Sequence, residues 1–258
     1  MKKNFLLNSD TSEKLYKYVS ALPIIDYHNH LSMQDIEKNT RFYDIYEYRN
    51  YVVPYWFENY FLDDRYLKID NKIVLHSWYA GRLSEAHYFG SVEAAQAEMD
   101  YLNEVAKSYG FDGVILTCAD KADSTAYQFG FEAKGAYHWE GYYSGDSGNT
   151  YETNVNANLK EAENGENYGY YQIPTISSGF DGVPWYDRER AHQMSVSDFE
   201  KSHSWVKNTY LPTYGTTGTW KDRAVWLSTW NEYGEGTYMM PSSLNGFGFL
   251  DGLRSAFK

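Results

Sequence analysis

The sequence predicts an α/β fold of the barrel-like type, and three observations lead to this prediction. Short apolar segments of strand character alternate with helical patterns along the chain, which favours a parallel sheet covered by helices. Residues 72–78, 91–109 and 113–117 form the clearest strand, helix and strand succession. The last predicted strand, 224–230, runs into a polar, glycine-containing turn. Strands of (β/α) barrels end in this way at the edge that carries the active site.

The remaining elements follow from hydrophobic spacing and from turn residues. In segment 91–109 the apolar residues recur every three or four positions, which predicts a helix. Pro54 suits the first turn of a helix and is expected to open one through residue 61. A strand is predicted at 171–177, helices are predicted at 11–21, 197–210 and 249–257, and a long polar loop is predicted from 119 to 168.

The number of strands leaves the completeness of the barrel open. A closed (β/α)₈ barrel takes eight strands and typically about 250 residues, whereas the sequence shows only about five strands. The chain has 258 residues. Either further strands lie within the long loop, or the fold is a partial or composite TIM barrel.

Composition excludes several classes of function. The 23 Lys and Arg residues against 35 Asp and Glu give a net charge of −12, which repels nucleic acid and anionic membrane surfaces. The first residues are too polar for a secretion signal or a membrane span, so we expect a cytoplasmic protein without membrane insertion. The one cysteine, Cys118, lies in an apolar run, where burial is expected to raise its pKa.

Aromatic residues are unusually frequent and suggest a sugar ligand. They make up 19% of the chain, with 27 Tyr and 8 Trp. Aromatic rings pack against the C–H faces of sugar rings, and tyrosine hydroxyls can bond to sugar hydroxyls. Most of these residues must still serve packing, so composition alone does not establish carbohydrate binding.

The strongest chemical pattern is the pair Glu232 and Glu235, which directly follows the last predicted strand. Hydrolysis of a glycosidic bond needs one carboxylic acid and a second carboxylate. Gly234 and Gly236 make a tight turn between the two groups plausible. Alternatively, the glutamates cap the following segment or pair with Arg223 or Arg254. Spacing alone does not decide between these interpretations.

Two further patterns follow predicted strands. His28 and His30 alternate at the end of the short strand near residue 24, so that both imidazoles could bind one metal ion. Two ligands do not make a metal site, and the later histidines occur in no comparable pattern. Residues 177–185 form a turn in which Asp181 and Trp185 could line a sugar site.

Residues from about 50 to the end resemble the C-terminal half of the glycoside hydrolase family 99-like group, which includes the WbsX-type glycosyltransferases. The resemblance lies in residues 60–70, in 178–181 with Pro184 and Trp185, and in 230–237. It implies a (β/α)₈ barrel that acts on glycans without a metal. It also implies that Glu235 is a general acid and then base, while Glu232 helps to deprotonate the 2-hydroxyl of the sugar. Tyr233 replaces the usual tryptophan, and the N-terminal strands of that family are absent from this sequence.

Residues 1–46 resemble the start of uronate isomerase, a member of the metal-dependent amidohydrolase superfamily. The matching stretches are 4–7, 15–16 and 22–32. The resemblance implies that His28 and His30 help to bind a divalent metal, Zn or Mn, in an enzyme that interconverts hexuronate aldoses and ketoses. It stops near Tyr46. The chain is therefore predicted to be composite, with an isomerase-like segment 1–46 joined to a family 99-like half barrel 47–258.

The sequence thus leads to one main hypothesis and two alternatives. The main hypothesis is a carbohydrate-active protein, hydrolase or transferase, in which Glu232 and Glu235 react with a mannan-like or other glycan and no cofactor is needed. The expected sugar contacts are Asp181, Trp185, Trp230, Asn231 and Tyr238. The alternatives are a metal-dependent uronate isomerase and a carbohydrate-binding protein without catalysis.

Overall fold

The structure is a computed structural model that describes residues 45–135, 149–180 and 193–258, together with Asp10, Lys14 and Lys17. The predictions for His28, His30, Asp181 and Trp185 fall outside the described residues. The α-helices are α1 (Ile45–Glu47), α2 (Val53–Trp56), α3 (Val92–Ser108), α4 (Tyr151–Tyr168), α5 (Val196–Trp205), α6 (Leu211–Tyr214) and α7 (Gly248–Phe257). The strands are β1 (Lys68–Ile69), β2 (Lys72–Trp78), β3 (Gly113–Ala119), β4 (Ala133–Gly135), β5 (Tyr171–Ile173), β6 (Thr175–Ser177), β7 (Trp226–Ser228), β8 (Asn231–Glu232) and β9 (Thr237–Tyr238).

The order of the strands confirms the predicted α/β class. One sheet has the order β1-β2-β3-β4-β5, with β1 antiparallel to β2, and with β3, β4 and β5 parallel to one another. Pro174 alone separates β5 from β6, which pairs in parallel with β7. Within each of these two sheets, strands that are consecutive in the chain lie side by side and their order does not reverse, as in the wall of a barrel. Closure of that barrel stays a prediction.

The described chain divides into two compact units. The first comprises residues 45–75 and 83–115, and the second comprises 76–82, 116–135, 149–180 and 193–258. Helices are plentiful in both units. None of them, among the residues that the structure describes, is long and apolar enough to cross a membrane.

In the first unit the helical run begins earlier than the sequence predicted. It is already present at Ile45, the first residue of the described range, and it reaches Phe61 through α1, a π-helical segment Tyr48–Val52, α2 and a second π-helical segment Phe57–Phe61. Proline has no N–H group and its ring crowds the carbonyl one turn earlier, which normally ends or kinks a helix. The π-helical segment ends at Val52, two residues before Pro54, and its wider turn is expected to relieve this crowding. The second unit has the same arrangement of a π-helical segment followed two residues later by a proline, since Pro212 follows the segment Val206–Tyr210.

Helix α3 confirms the prediction for residues 91–109. The Ser91 hydroxyl accepts a hydrogen bond from Ala94 N and caps the first turn. The buried face of α3 includes Glu98, which is 1% exposed. Both carboxylate oxygens of Glu98 accept hydrogen bonds from the Arg49 guanidinium at 2.8 Å. This two-pronged ion pair joins the N-terminal helical run to α3.

Arg49→Met is expected to lower the free energy of unfolding, because it leaves the Glu98 carboxylate buried without its cation. Breaking a buried ion pair costs about 3–5 kcal/mol, and solvent screening of the half-exposed Arg49 reduces the expected loss to about 2 kcal/mol. Urea denaturation measures the change. Adding Glu98→Gln to Arg49→Met should restore part of the loss, because it removes the uncompensated charge. An Arg49→Met variant as stable as the wild type would contradict this account.

Helix α4 and strand β4 lie within the segment predicted to be a long loop, so that prediction was wrong. Thr150 and Thr153 form a capping box at the start of α4, and Gly169, at φ 79°, ends the helix in the left-handed conformation. The buried positions of α4 follow helical spacing, but most of them are polar. The prediction relied on hydrophobic periodicity, which does not detect a buried helix face made of polar residues. These buried positions are Asn154, Asn158, Glu161, Ala162 and Gly165.

The polar face of α4 is used to hold neighbouring strands. Asn158 accepts a hydrogen bond from Thr175 N at 2.8 Å and donates one to Thr175 O at 2.9 Å. Glu161 forms a buried ion pair with Lys134 of β4 and accepts a hydrogen bond from Tyr170 Oη at 3.1 Å. The amide thus pairs the backbone polar groups of Thr175, just past the break that Pro174 makes in the sheet.

Helices α5 and α7 confirm the helices predicted at 197–210 and 249–257. Helix α5 carries His203, whose Nδ1 lies 2.8 Å from Phe199 O. The imidazole is fully buried against the rings of Phe199 and Phe257. Among the described residues its Nε2 has no hydrogen-bond partner. Burial therefore lowers the pKa of His203 from 6.5 to about 4.

This lowered pKa predicts acid-sensitive stability. Between pH 6.5 and about 4 the unfolded chain binds a proton at residue 203 that the folded chain does not bind. Stability therefore falls as the pH falls through this range, by about 1.4 kcal/mol per pH unit for one such group. Chemical denaturation at a series of pH values should show a smaller slope in His203→Gln than in the wild type. His76, whose pKa is also lowered to about 4, contributes in the same direction and supplies the residual slope. Identical slopes in both proteins would refute the assignment to His203.

Candidate functional site

Strands β6 and β7 bring the starts of two predicted sugar-binding turns together. Ser177 lies opposite Ser228 in the parallel register, and Ser178 N donates a hydrogen bond to Ser228 O at 2.8 Å. The turn 177–185 and the turn 230–237 therefore leave the sheet side by side at its carboxyl edge. The described part of the first turn ends at Phe180, so the positions of Asp181 and Trp185 stay predictions.

The predicted glutamate turn is a short antiparallel hairpin. Strand β8 carries Glu232, a 3₁₀ turn Tyr233–Glu235 follows, and β9 pairs back with Glu232 opposite Thr237 and with Asn231 opposite Tyr238. Gly236 has φ 63°, a left-handed conformation that favours glycine. Neighbouring strand residues point to opposite faces, so Asn231 and Tyr238 share one face of the hairpin and Glu232 lies on the other.

Hydrogen bonds fasten this hairpin to the end of β7. Thr229 Oγ1 lies 2.5 Å from Thr237 O and 2.6 Å from Thr237 Oγ1. Met239 N bonds to Thr229 O at 3.1 Å, and Gln193 Nε2 donates to Tyr238 O at 3.2 Å. Strand β9 is therefore held at both of its residues, and β8 is held through its pairing with β9, which limits the positions that the glutamate backbone can take.

The two glutamates occupy different positions in the hairpin, Glu232 in β8 and Glu235 at the end of the 3₁₀ turn. Both are half-buried. Burial raises the pKa of the Glu235 carboxyl above its ordinary value, because removal from water disfavours the charged form. A carboxyl shifted in this direction suits a general acid. Glu232 precedes the 3₁₀ turn but its side chain makes no capping hydrogen bond there. The capping interpretation therefore does not account for Glu232.

Exposed aromatic rings surround this edge. Trp230 is 48% exposed, and the Tyr233 ring packs against Tyr238 with centroids 4.8 Å apart. Trp78 and Tyr79, which were not predicted as site residues, are exposed at the end of β2 with ring centroids 5.6 Å apart. The information was available, because β2 was predicted to end at residue 78. The glutamate turn was selected because its side chains directly follow a strand, and the same criterion selects Tyr79, with Trp78 as the last residue of the strand.

No group of three His, Cys, Asp or Glu side chains that could hold a metal ion occurs within residues 45–135, 149–180 and 193–258. His28 and His30 lie outside these ranges, so the predicted metal site is a separate question. The prediction for Cys118 can be assessed, and it is confirmed. The thiol is fully buried, and burial raises its pKa to about 12.

The α/β fold and a family match identify a carbohydrate-active protein. The chain belongs to the family described as Glycosyltransferase WbsX, whose model matches residues 36–253. The family described as Glucuronate isomerase matches residues 1–57. Both resemblances inferred from the sequence are thereby confirmed at the level of the family.

The curated relatives match only the N-terminal segment. The chain is 54% identical over 48 residues to uronate isomerase from Bacillus pumilus, and 50% identical over 48 residues to that from Oceanobacillus iheyensis. It is 51% identical over 45 residues to uronate isomerase from Geobacillus stearothermophilus. The matched stretches span 17–18% of this chain and 10% of each relative.

A comparison with solved structures finds the GH99 endo-alpha-mannosidase from Bacteroides thetaiotaomicron. The match has a TM-score of 0.40 at 11% sequence identity, and it covers 90% of this chain and 62% of the mannosidase chain.

Proposed function

We propose that the chain cleaves or transfers glycosidic bonds at the hairpin that carries Glu232 and Glu235. The observation that carries the proposal is the half-buried Glu235 carboxyl, with its raised pKa, three residues from a second carboxylate at the carboxyl edge of parallel strands. Membership of a glycosyltransferase family supports this choice of reaction. The substrate we propose is a mannan-like or related neutral glycan.

The proposed chemistry divides the work between the two carboxyl groups. Glu235 donates its proton to the glycosidic oxygen as the bond to the anomeric carbon breaks. Glu232 accepts the proton of the 2-hydroxyl, whose oxygen attacks the anomeric carbon from the opposite side. Glu235, now ionised, then deprotonates the incoming acceptor, which opens the strained intermediate, and the 2-oxygen recovers a proton from Glu232. Water as the acceptor gives hydrolysis, and a sugar hydroxyl gives transfer.

The remaining predicted site residues act as sugar contacts in this proposal. Exposed Trp230 offers a ring face, while Asn231 and Tyr238 share one face of the hairpin and offer an amide and a hydroxyl. Asp181 and Trp185 are proposed to contribute from the neighbouring turn. The reaction as written needs no cofactor.

Glu235→Gln is expected to reduce release of sugar from α-mannan-type glycans by at least about 100-fold, since general acid catalysis contributes about 10²–10⁴-fold. The amide is isosteric but cannot donate the required proton. Reducing-sugar or chromatographic assays measure the loss. Glu163→Gln, on the exposed side of α4, is the matched control and should retain full activity. A wild-type protein without activity, or a fully active Glu235→Gln variant, would refute the proposed catalysis.

Uronate isomerisation is the second candidate, favoured by the N-terminal match and by His28 and His30 within it. These imidazoles would hold a divalent metal, Zn or Mn, and the metal would polarise the sugar carbonyl. Metal analysis of the purified protein tests this candidate. Less than about one-tenth of an equivalent of Zn or Mn after purification with these metals present and chelators absent would remove it, because this candidate depends on a metal held by the two imidazoles.

A third possibility is carbohydrate binding without turnover. It is distinguished by oligosaccharide binding that survives the double substitution Glu232→Gln/Glu235→Gln in a wild-type protein that shows no turnover.

A further inference from the structure

Four residues, each from a different strand, lie together in the interior of the second unit. The rings of His76 (β2) and Trp226 (β7) have centroids 4.2 Å apart. His76 Nδ1 lies 3.0 Å from Thr117 Oγ1 of β3. Gly135 of β4 lies under the Trp226 indole, because a Cβ at residue 135 would be 1.6 Å from Trp226 Nε1. We refer to these four residues as the inner layer.

The inner layer lies just below the edge that carries the glutamate hairpin. Strands β2 and β3 run in the same direction, since His76 faces Thr117 and Tyr79 N bonds to Ala119 O. His76, Thr117 and Trp226 are each two residues from the carboxyl end of their strand, and Gly135 is the last residue of β4. At about 3.3 Å per residue, His76, Thr117 and Trp226 lie about 7 Å below the ends of their strands, while Gly135 lies at the end of β4.

The composition of this layer differs from that of ordinary barrel packing. Val, Ile and Leu usually fill the interior of such barrels. Here the positions are occupied by His, Thr, Gly and Trp. Trp226 and His76 are half-buried, although Trp226 Nε1 is enclosed and Thr117 is fully buried. The outer part of the indole is therefore accessible while its inner end is fixed.

The neighbours of Trp226 hold its ring in one orientation. Gly135 is the residue type that leaves room for the indole against the backbone of β4. On another side the His76 imidazole packs against it, and the bond to Thr117 sets the plane of that imidazole. Burial lowers the pKa of His76 to about 4, so the imidazole is neutral at physiological pH. An uncharged, fixed aromatic surface suits the C–H face of a neutral sugar ring.

We propose that Trp226 is the floor of the sugar site, on which the C–H face of a pyranose ring packs below Glu232 and Glu235. His76 and Gly135 are positioning residues that fix the orientation of the indole. The inference rests on the proposed function, because it assigns a further contact to the same site. It also explains why β4 ends in glycine.

Binding of α-mannobiose in the Glu235→Gln background tests the floor without interference from turnover. Trp226→Leu should weaken binding by at least about tenfold, which is the equivalent of about 1.4 kcal/mol lost with an aromatic contact. Trp226→Phe should retain part of the affinity. Gly135→Ala should weaken binding although Trp226 is still present, because the new methyl group displaces the indole.

Leu227→Ala is the matched control. Leu227 neighbours Trp226 on β7, but its side chain points to the other face and packs against the core that contains Ile176 and Phe249. The variant should lower stability and leave the affinity for α-mannobiose unchanged. Equal losses of affinity in Leu227→Ala and Trp226→Leu would show that the strand, and not the indole, is responsible, and would overturn the proposal.

A direct contact measurement separates this inference from the proposed function. The protein contains 8 Trp, so 5-fluorotryptophan labelling gives a small set of ¹⁹F resonances, and Trp226→Phe and Trp230→Phe assign two of them. Added α-mannobiose should shift the Trp226 resonance. A shift at Trp230 but not at Trp226, with turnover that depends on Glu235, would sustain the proposed function and overturn the floor. A shift at Trp226 in a protein without turnover would sustain the floor and overturn the catalysis. No shift at either residue would overturn the floor, whatever the activity assays show.

Discussion

The parallel pairing of β6 with β7 is the constraint on which the candidate site depends. Its register directs alternate residues to opposite faces of the pair. Ile176 and Leu227 face the apolar core that includes Phe199 and Phe249 of helices α5 and α7. Trp226, on the other face, contributes to the inner layer, and Ser228 ends the strand where the hairpin begins. A register shift of one residue would exchange the two faces and place the indole in the helix-packing core.

The pairing of β6 with β7 also explains which residues of the candidate site could be predicted from the sequence and which could not. The glutamate turn could be found because it follows a predicted strand directly and because its glycines indicate a tight turn. Trp226 could not be found in this way, because a tryptophan within a strand has the pattern of ordinary core. Its role depends on Gly135 and His76, which are distant in sequence and come together only through the order of the strands.

The helices show the same contrast between structure that follows from neighbouring residues and structure that depends on residues distant in the sequence. Helix α3 was predicted nearly to its ends because its buried side is mostly apolar and Ser91 caps it. Helix α4 was missed because Asn154, Asn158 and Glu161 occupy its buried side. Their partners, Thr175 and Lys134, are supplied by strands that the sequence does not place beside the helix. The helical run from Ile45 was misjudged for another reason, since a π turn makes Pro54 acceptable inside it.

Desolvation acts on Glu235 and His76 in opposite directions on the pKa scale but with one chemical result. It raises the pKa of the carboxyl and lowers that of the imidazole, so both groups are shifted toward their uncharged forms. Uncharged donors and ring faces match the hydroxyls and C–H groups of neutral glycans. A hexuronate carries a carboxylate, which needs a cation or several hydrogen-bond donors when it leaves water. Glu235 and His76 therefore suit the neutral glycan that we propose as the substrate, whereas the isomerase candidate depends on a metal held by His28 and His30.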